Sequence, residues 1–402
     1  MKSTNGKIFH RYHAISFLTS ILAYLYSTFI NSSAAKWGFS FVQIGLINLL
    51  WSFVYAIASI TIGHFGDKYG YKKMIIILYT YMILVSIVGL VTFSPTMLIV
   101  FSILQGAFFG TFFPQVEGLI ARSEKQIGID PPSVTGRFTI SWSTGNMLGV
   151  AFGPYLTVRA RSIIFLYGLV VSIAIIMIVY LDSRKYGNLI RFKPVGKLKH
   201  KSSYEVLKDV QRMKRLRLEY RIILLLGGIV YTAVLADFPK LISLAGIGLQ
   251  NAGFLTVGAN IGVLITFLCL QFWRGWVGKE GLSALLLSVI PLSGIVAFFA
   301  KTPLMFFITA FVAGCSYAVP YTFAIFYGLL SEEEGQGKQG AIHEMVIGLL
   351  FGIGPFLGGI FLDKVNSVVG LTILALLIGA VTYGIQMAFN FSNKGRAVVR
   401  QD

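Results

Sequence analysis

Charge is scarce in this chain, and acid is scarcest. Only 12% of the 402 residues are Asp, Glu, Lys or Arg, and 16 carboxylates face 34 basic side chains. A soluble domain carries about a quarter of its residues as charges, so a water-facing globule of this length is excluded. Cysteine is nearly absent too: Cys269 and Cys315 both lie inside apolar runs, which indicates neither a disulfide framework nor a metal site. There is no Walker loop, zincin motif, nucleophile elbow or paired-carboxylate site, so an enzyme is not expected, and no cofactor or metal is implied. No polar segment is long enough to fold as a basic domain, so the net charge of +18 does not point to nucleic acid.

Apolar sequence fills the space that charge leaves. Hydrophobic residues make up 55% of the chain and the mean hydropathy is +0.75. About 20 helical residues cross a ~30 Å hydrocarbon layer. Runs of that size recur twelve times, at 13–34, 39–63, 74–93, 96–121, 138–158, 162–181, 222–244, 250–273, 281–300, 303–330, 341–362 and 367–391. The first is too long for a signal-peptide core and has no convincing small-residue cleavage site, so it is expected to stay as a helix. With the amino terminus inside, 28 cations fall in inner segments and 6 in outer loops (Lys36, Arg159, Arg161, Lys240, Lys301 and Lys364). By the positive-inside rule both termini are therefore expected in the cytoplasm, with the plasma membrane as the location.

The chain repeats itself at half length. Gly38 and Gly45 open the second run as Gly246 and Gly253 open the eighth, Pro114 pairs with Pro320, and Gly149-x-x-x-Gly153-Pro154 matches Gly348-x-x-x-Gly352-x-Gly354-Pro355. Duplicated six-helix halves have this signature. Between them, residues 183–221 are basic; Ser202 and Glu205 form a capping-box pattern, and Val206, Leu207, Val210, Met213 and Leu216 recur at helical spacing. An amphipathic helix lying on the inner leaflet is expected there, with a regulatory partner site as the alternative.

The link between the second and third runs reads Gly63-His64-Phe65-Gly66-Asp67-Lys68-Tyr69-Gly70-Tyr71-Lys72-Lys73. It resembles the signature loop of the major facilitator superfamily, with Lys68 in the usual Arg position and Tyr71 in a normally basic one. The resemblance implies a charge network at the inner helix ends that holds one conformation, with Asp67, Glu117, Arg122 and Arg137 as its members and Gly63, Lys68, Gly70, Lys72 and Lys73 around them. The Gly149, Gly153, Pro154 element resembles the fifth-helix motif of that superfamily's drug:proton antiporters, with Gly354 and Pro355 as its repeat. Two departures stand beside it. The fourth-run pattern is Ser102-Ile-Leu-Gln105-Gly106, with Ser where that branch places Arg, and the first run contains no acid.

Ionisable groups inside a membrane are costly enough to be functional candidates. Asp237 lies near the outer end of the seventh run with Lys240 three residues on, which favours a solvated or locally paired role. Glu344 shares a helical stripe with Gly348 and Gly352 and so faces protein or a cavity. It is a proton or substrate carrier or a snorkelling carboxylate, and His343 beside it titrates near neutrality. Tyr24, Asn31, Gln105, Trp142, Asn146, Tyr231 and Tyr317 are the residues expected to reach a substrate.

The expected architecture is an all-α membrane protein of twelve transmembrane helices in two pseudo-symmetric six-helix bundles, 1–182 and 222–402, joined by a cytoplasmic loop, 183–221. The expected function is alternating-access export, by a monomer in the bilayer, of a small amphipathic or hydrophobic molecule coupled to protons. The alternatives are uptake of a sugar or other neutral metabolite and, in another class, a non-transporting membrane sensor or scaffold.

Overall fold

The computed structural model describes the backbone of residues 2–127, 131–186, 210–330, 336–365 and 368–398, and the side chains of 11–120, 138–184, 211–328, 342–365 and 368–389. All regular structure among them is helical, as lipid requires of a chain that cannot leave backbone N–H and C=O groups unpaired. The first half holds α1 (Lys2–Lys36), α2 (Phe41–Ile62), α3 (Phe65–Tyr69), α4 (Tyr71–Val91), α5 (Pro95–Ile127), α6 (Pro131–Arg159) and α7 (Arg161–Tyr186). The second holds α8 (Val210–Leu244), α9 (Ala252–Phe272), α10 (Glu280–Leu287), α11 (Val289–Phe298), α12 (Pro303–Leu330), α13 (Gln336–Val365) and α14 (Val369–Val398).

Among the described residues, eleven stretches are long and apolar enough to cross a membrane, with α3 joined to α2 and α10 and α11 sharing one crossing. The twelfth crossing is α6, which packs along α1 and α9 but carries Ser141, Ser143, Thr144 and Asn146 within its span. Each half has its own apolar core. Tyr26, Phe29, Phe101 and Phe165 meet edge-on or tilted in the first, and in the second Phe323 meets Tyr220 edge-on and Trp276 tilted, while Tyr220 stacks on Tyr327.

The repeat is visible in the backbone. Gly38 and Gly246 end the first helix of each half with φ of 77° and 82°, and Gly70 and Gly278 take φ of 95° and 75° in the two matching loops. A left-handed turn at these points suits glycine and little else. The central connection departs from expectation. From Val210 onward it is not a separate surface helix but the first turns of α8, where Met213 is buried and Leu216 and Tyr220 join the second core. Ser202, Glu205, Val206 and Leu207 lie outside the described residues.

The halves meet through α2 against α13 and α6 against α9. A Cβ on Gly45 would sit 2.6 Å from the Phe356 Cα, and one on Gly253 would sit 2.3 Å from the Ala151 oxygen and 2.9 Å from the Pro154 ring. The repeated glycine of one half thus rests on the repeated proline segment of the other, twice over. Gly45→Leu is expected to hold the halves apart: spin labels at Gln43 and Lys364 should report a wider separation, and an unchanged distance would reject this packing argument.

Candidate functional site: a cavity between the halves

A polar stripe runs down α2, an otherwise apolar helix, at Asn48, Ser52, Tyr55 and Ser59. On α5 a second stripe, Gln105, Phe109, Phe113 and Glu117, repeats every four residues, so its members share one face. These faces, with parts of α1, α6, α12 and α13, enclose a central cavity with about 890 Å³ of atom-free space, part of it open to solvent. Tyr24, Gln105, Trp142, Asn146 and Tyr317, expected to reach a substrate, line it. Asn31 and Tyr231 stand behind the wall. Asn31 accepts a hydrogen bond from the cavity-lining Asn48 at 2.8 Å, while Tyr231 stacks on Tyr317 with ring centroids 4.7 Å apart and donates to Asn260 at 3.1 Å.

At the end of the cavity nearer the chain termini, the Glu117 carboxyl on α5 lies within hydrogen-bonding reach of the Glu344 carboxyl on α13. Such a contact is attractive only when one of the two holds a proton. Tyr55 of α2 donates to Glu344 Oε2 at 2.5 Å, and Glu344 is only 4% exposed. His343, equally buried, turns its ring on Tyr321 at 5.0 Å, and neither ring nitrogen has a hydrogen-bond partner among the described residues.

Two residues expected at the inner charge network, Glu117 and Lys72, are placed elsewhere. Glu117 faces the cavity rather than Asp67. Asp67 is exposed, accepts from the Tyr71 hydroxyl at 2.7 Å and makes a further contact. Lys72, placed beside Asp67 on sequence grounds, is instead buried against Asp182 of α7 at 3.0 Å, where Tyr12 donates at 2.8 Å and Arg11 at 3.1 Å. Lys68 and Lys73 are exposed, and Gly63 lends its carbonyl to Gln115 at 2.7 Å. The side chains of Arg122 and Arg137 lie outside the described residues. Gly149 and Gly153 let α6 close on Tyr24 and Thr28 of α1, and Gly354 lets α13 close on Thr232 and Ile229 of α8.

The end opposite the termini is shut by contacts between the halves. Asp363, at the end of α13, accepts from the Phe41 N–H at 3.0 Å and the Val42 N–H at 2.9 Å, placing a carboxylate on the positive end of α2. Lys240 of α8 donates to the Phe39 carbonyl at 2.5 Å. Asp237 is not solvated, in contrast to the sequence expectation, and it makes no close ion pair among the described residues, although Lys240 acts on it electrostatically. It is fully buried, and its carboxylate oxygens have no hydrogen-bond partner among the described residues. Asp363 was not a sequence candidate, because an Asp beside a Lys at the end of an apolar run reads as an ordinary solvated terminus.

Two matched six-helix halves, closed at one end around a cavity with buried carboxyls, have the architecture of a membrane solute carrier. The chain belongs to the Major Facilitator Superfamily, whose family model matches residues 13–325. Among solved structures it is similar to a variant of the nucleoside transporter NupG, at 16% identity and a TM-score of 0.66 over 95% of this chain and 98% of that one. It is also similar to a bacterial homolog of the human lysosomal transporter Spinster in an inward-facing, unoccupied conformation, at 14%, 0.66, 96% and 95%. Tetrameric PepTSo2 is similar at 14%, 0.67, 98% and 99%. At these identities the likeness is one of fold. No curated protein sequence matches significantly.

Proposed function

We propose that the protein is a secondary transporter of the plasma membrane that exports a small amphipathic molecule in exchange for protons, with residues 1–182 and 222–402 as rocking halves, 183–221 as the cytoplasmic connection, and both termini in the cytoplasm. The observation that carries the proposal is the Glu117–Glu344 pair. One carboxyl belongs to each half, so a proton shared between them is also a link between the halves. Loss of that proton leaves two like charges side by side. At 4 Å and an effective dielectric constant of 20, their repulsion is about 4 kcal/mol, enough to bias a two-state equilibrium strongly. Protonation therefore favours the arrangement described here, closed at the outer end by Asp363 and Lys240, and deprotonation favours separation of the halves at the inner end.

The test has two parts. A thermal-shift screen against drugs, sugars and amino acids selects a ligand, and proteoliposomes then report its flux under an imposed pH gradient. Accumulation that follows the gradient supports proton coupling; flux indifferent to it overturns that coupling. Orientation is tested separately in a background lacking Cys269 and Cys315. A cysteine at Ser94 is expected to be labelled only from outside the cell and one at Lys73 only from inside, and the reverse pattern would overturn the topology.

A further inference from the structure

We infer that the cavity takes a small primary ammonium compound with an apolar body, one molecule for each proton released from the Glu117–Glu344 pair. The inference rests on the transport reading above and names its substrate class. Among the described lining residues the only ionisable groups of either sign, apart from tyrosines, are Glu117 and Glu344, and no Lys, Arg or His lines the cavity. Among the described residues, the charges facing the pair are few. Tyr55 of α2 donates to Glu344, and Tyr321 of α12 lies close to both carboxyls. His343 neighbours Glu344 on α13 but turns toward Tyr321, with Arg221 of α8 beyond it. A site with two carboxyls and no cation among its described lining residues is complementary to a cationic ligand.

Hydrogen-bond supply narrows the class. In the resting pair, the shared proton and the Tyr55 hydroxyl serve the facing oxygens. Once that proton leaves to water, two carboxylates expose lone pairs that Tyr55 alone cannot satisfy, while an R–NH3+ group offers three donors. A quaternary ammonium offers none and would leave buried acceptors unpaired, despite the attraction of aromatic faces for cations. Charge balances as well. Two carboxyls with one proton carry −1, and two carboxylates with one ammonium also carry −1, so the exchange is electroneutral.

The far part of the cavity fixes the rest of the ligand. Gln105 is 12 residues from Glu117 on one helix, which is about 18 Å. Between and around them stand Phe109, Phe113, Trp142 and Phe351. The ammonium therefore sits at the inner end with an apolar or aromatic body extending toward neutral amides.

Purified protein in weakly buffered detergent solution with a pH indicator dye provides the test, using benzylamine, 2-phenylethylamine, 3-phenylpropylamine and 4-phenylbutylamine against the N,N,N-trimethyl analogue of each. At least one primary amine is expected to bind with release of one proton per molecule, and its trimethyl analogue to bind roughly tenfold or more weakly. Proton release is expected to vanish in both Glu117→Gln and Glu344→Gln. The inference is overturned if no primary amine releases a proton, or if the trimethyl analogue binds as tightly as its parent. The two readings fail separately. Accumulation of a neutral solute under a pH gradient, with no amine binding, removes only this inference. Amine-for-proton exchange at the site in proteoliposomes that move nothing removes the transport reading.

Discussion

Glu344→Gln is expected to lower accumulation driven by a pH gradient by roughly 100-fold or more, the scale on which a single proton-transferring group contributes. Exchange of substrate down its own gradient should stay within a few-fold of wild type. The contrast follows from what the substitution keeps. Glutamine has the shape of the acid, its carbonyl still accepts from Tyr55, and its amide still donates to Glu117, so the link between the halves survives. What it cannot do is release a proton. Glu117→Gln should have the same effect, and the double variant should be no worse than either single one, because the two carboxyls act as a unit. Paired measurements of pH-driven uptake and of substrate exchange in proteoliposomes decide the matter. If the single variants still concentrate substrate against a pH gradient, coupling belongs elsewhere, and Asp237, buried without a hydrogen-bond partner among the described residues, becomes the group to examine.

The helices and the two halves were legible in the sequence because the bilayer leaves few choices. A run of about 20 apolar residues must be helical there, and a duplicated chain repeats its glycines and prolines wherever close packing requires them. Gly45 and Pro355 can be matched to Gly253 and Pro154 as repeats without any coordinates. Their contact is the part that sequence comparison does not supply. α6 was legible by its place between loops, although its polar residues weaken its apolar signal.

The site was half legible. Residues that share a stripe with other large side chains were found: Gln105, Trp142 and Tyr317 all reach the cavity. Glu117 was assigned to the inner charge network because of its proximity in sequence to Arg122, while its own stripe with Gln105, Phe109 and Phe113 points to the cavity that it lines. Tyr55 was missed, although the polar residues spaced along α2 at 48, 52, 55 and 59 were a usable signal. Asp182 was missed for a different reason. An acid just past the end of an apolar run looks like the beginning of a loop, and only the approach of α1, α4 and α7 shows that it is buried.

Asp182→Asn is the substitution with the largest expected effect on stability. Lys72 is 2% exposed and Asp182 is 1% exposed, and their pair joins α4 to α7. Arg11 and Tyr12 of α1 bind the same carboxylate, so three helices of the first half converge on one side chain. Breaking a buried ion pair from one side leaves the other charge stranded, at a cost of about 3–5 kcal/mol. Lys72→Met is expected to be milder, because Asp182 keeps Tyr12 and Arg11 and no cation is left buried. Replacing both at once, Lys72→Met with Asp182→Leu, removes both buried charges and should recover much of the loss, as expected of coupled neighbours. Thermal unfolding of the purified variants in one detergent gives the order directly: Asp182→Asn lowest, the single Lys72 variant and the double variant above it. An Asp182→Asn protein that unfolds within about 1 °C of wild type would mean that the pair contributes little, since even 1 kcal/mol displaces the midpoint by several degrees in small domains and somewhat less in larger ones.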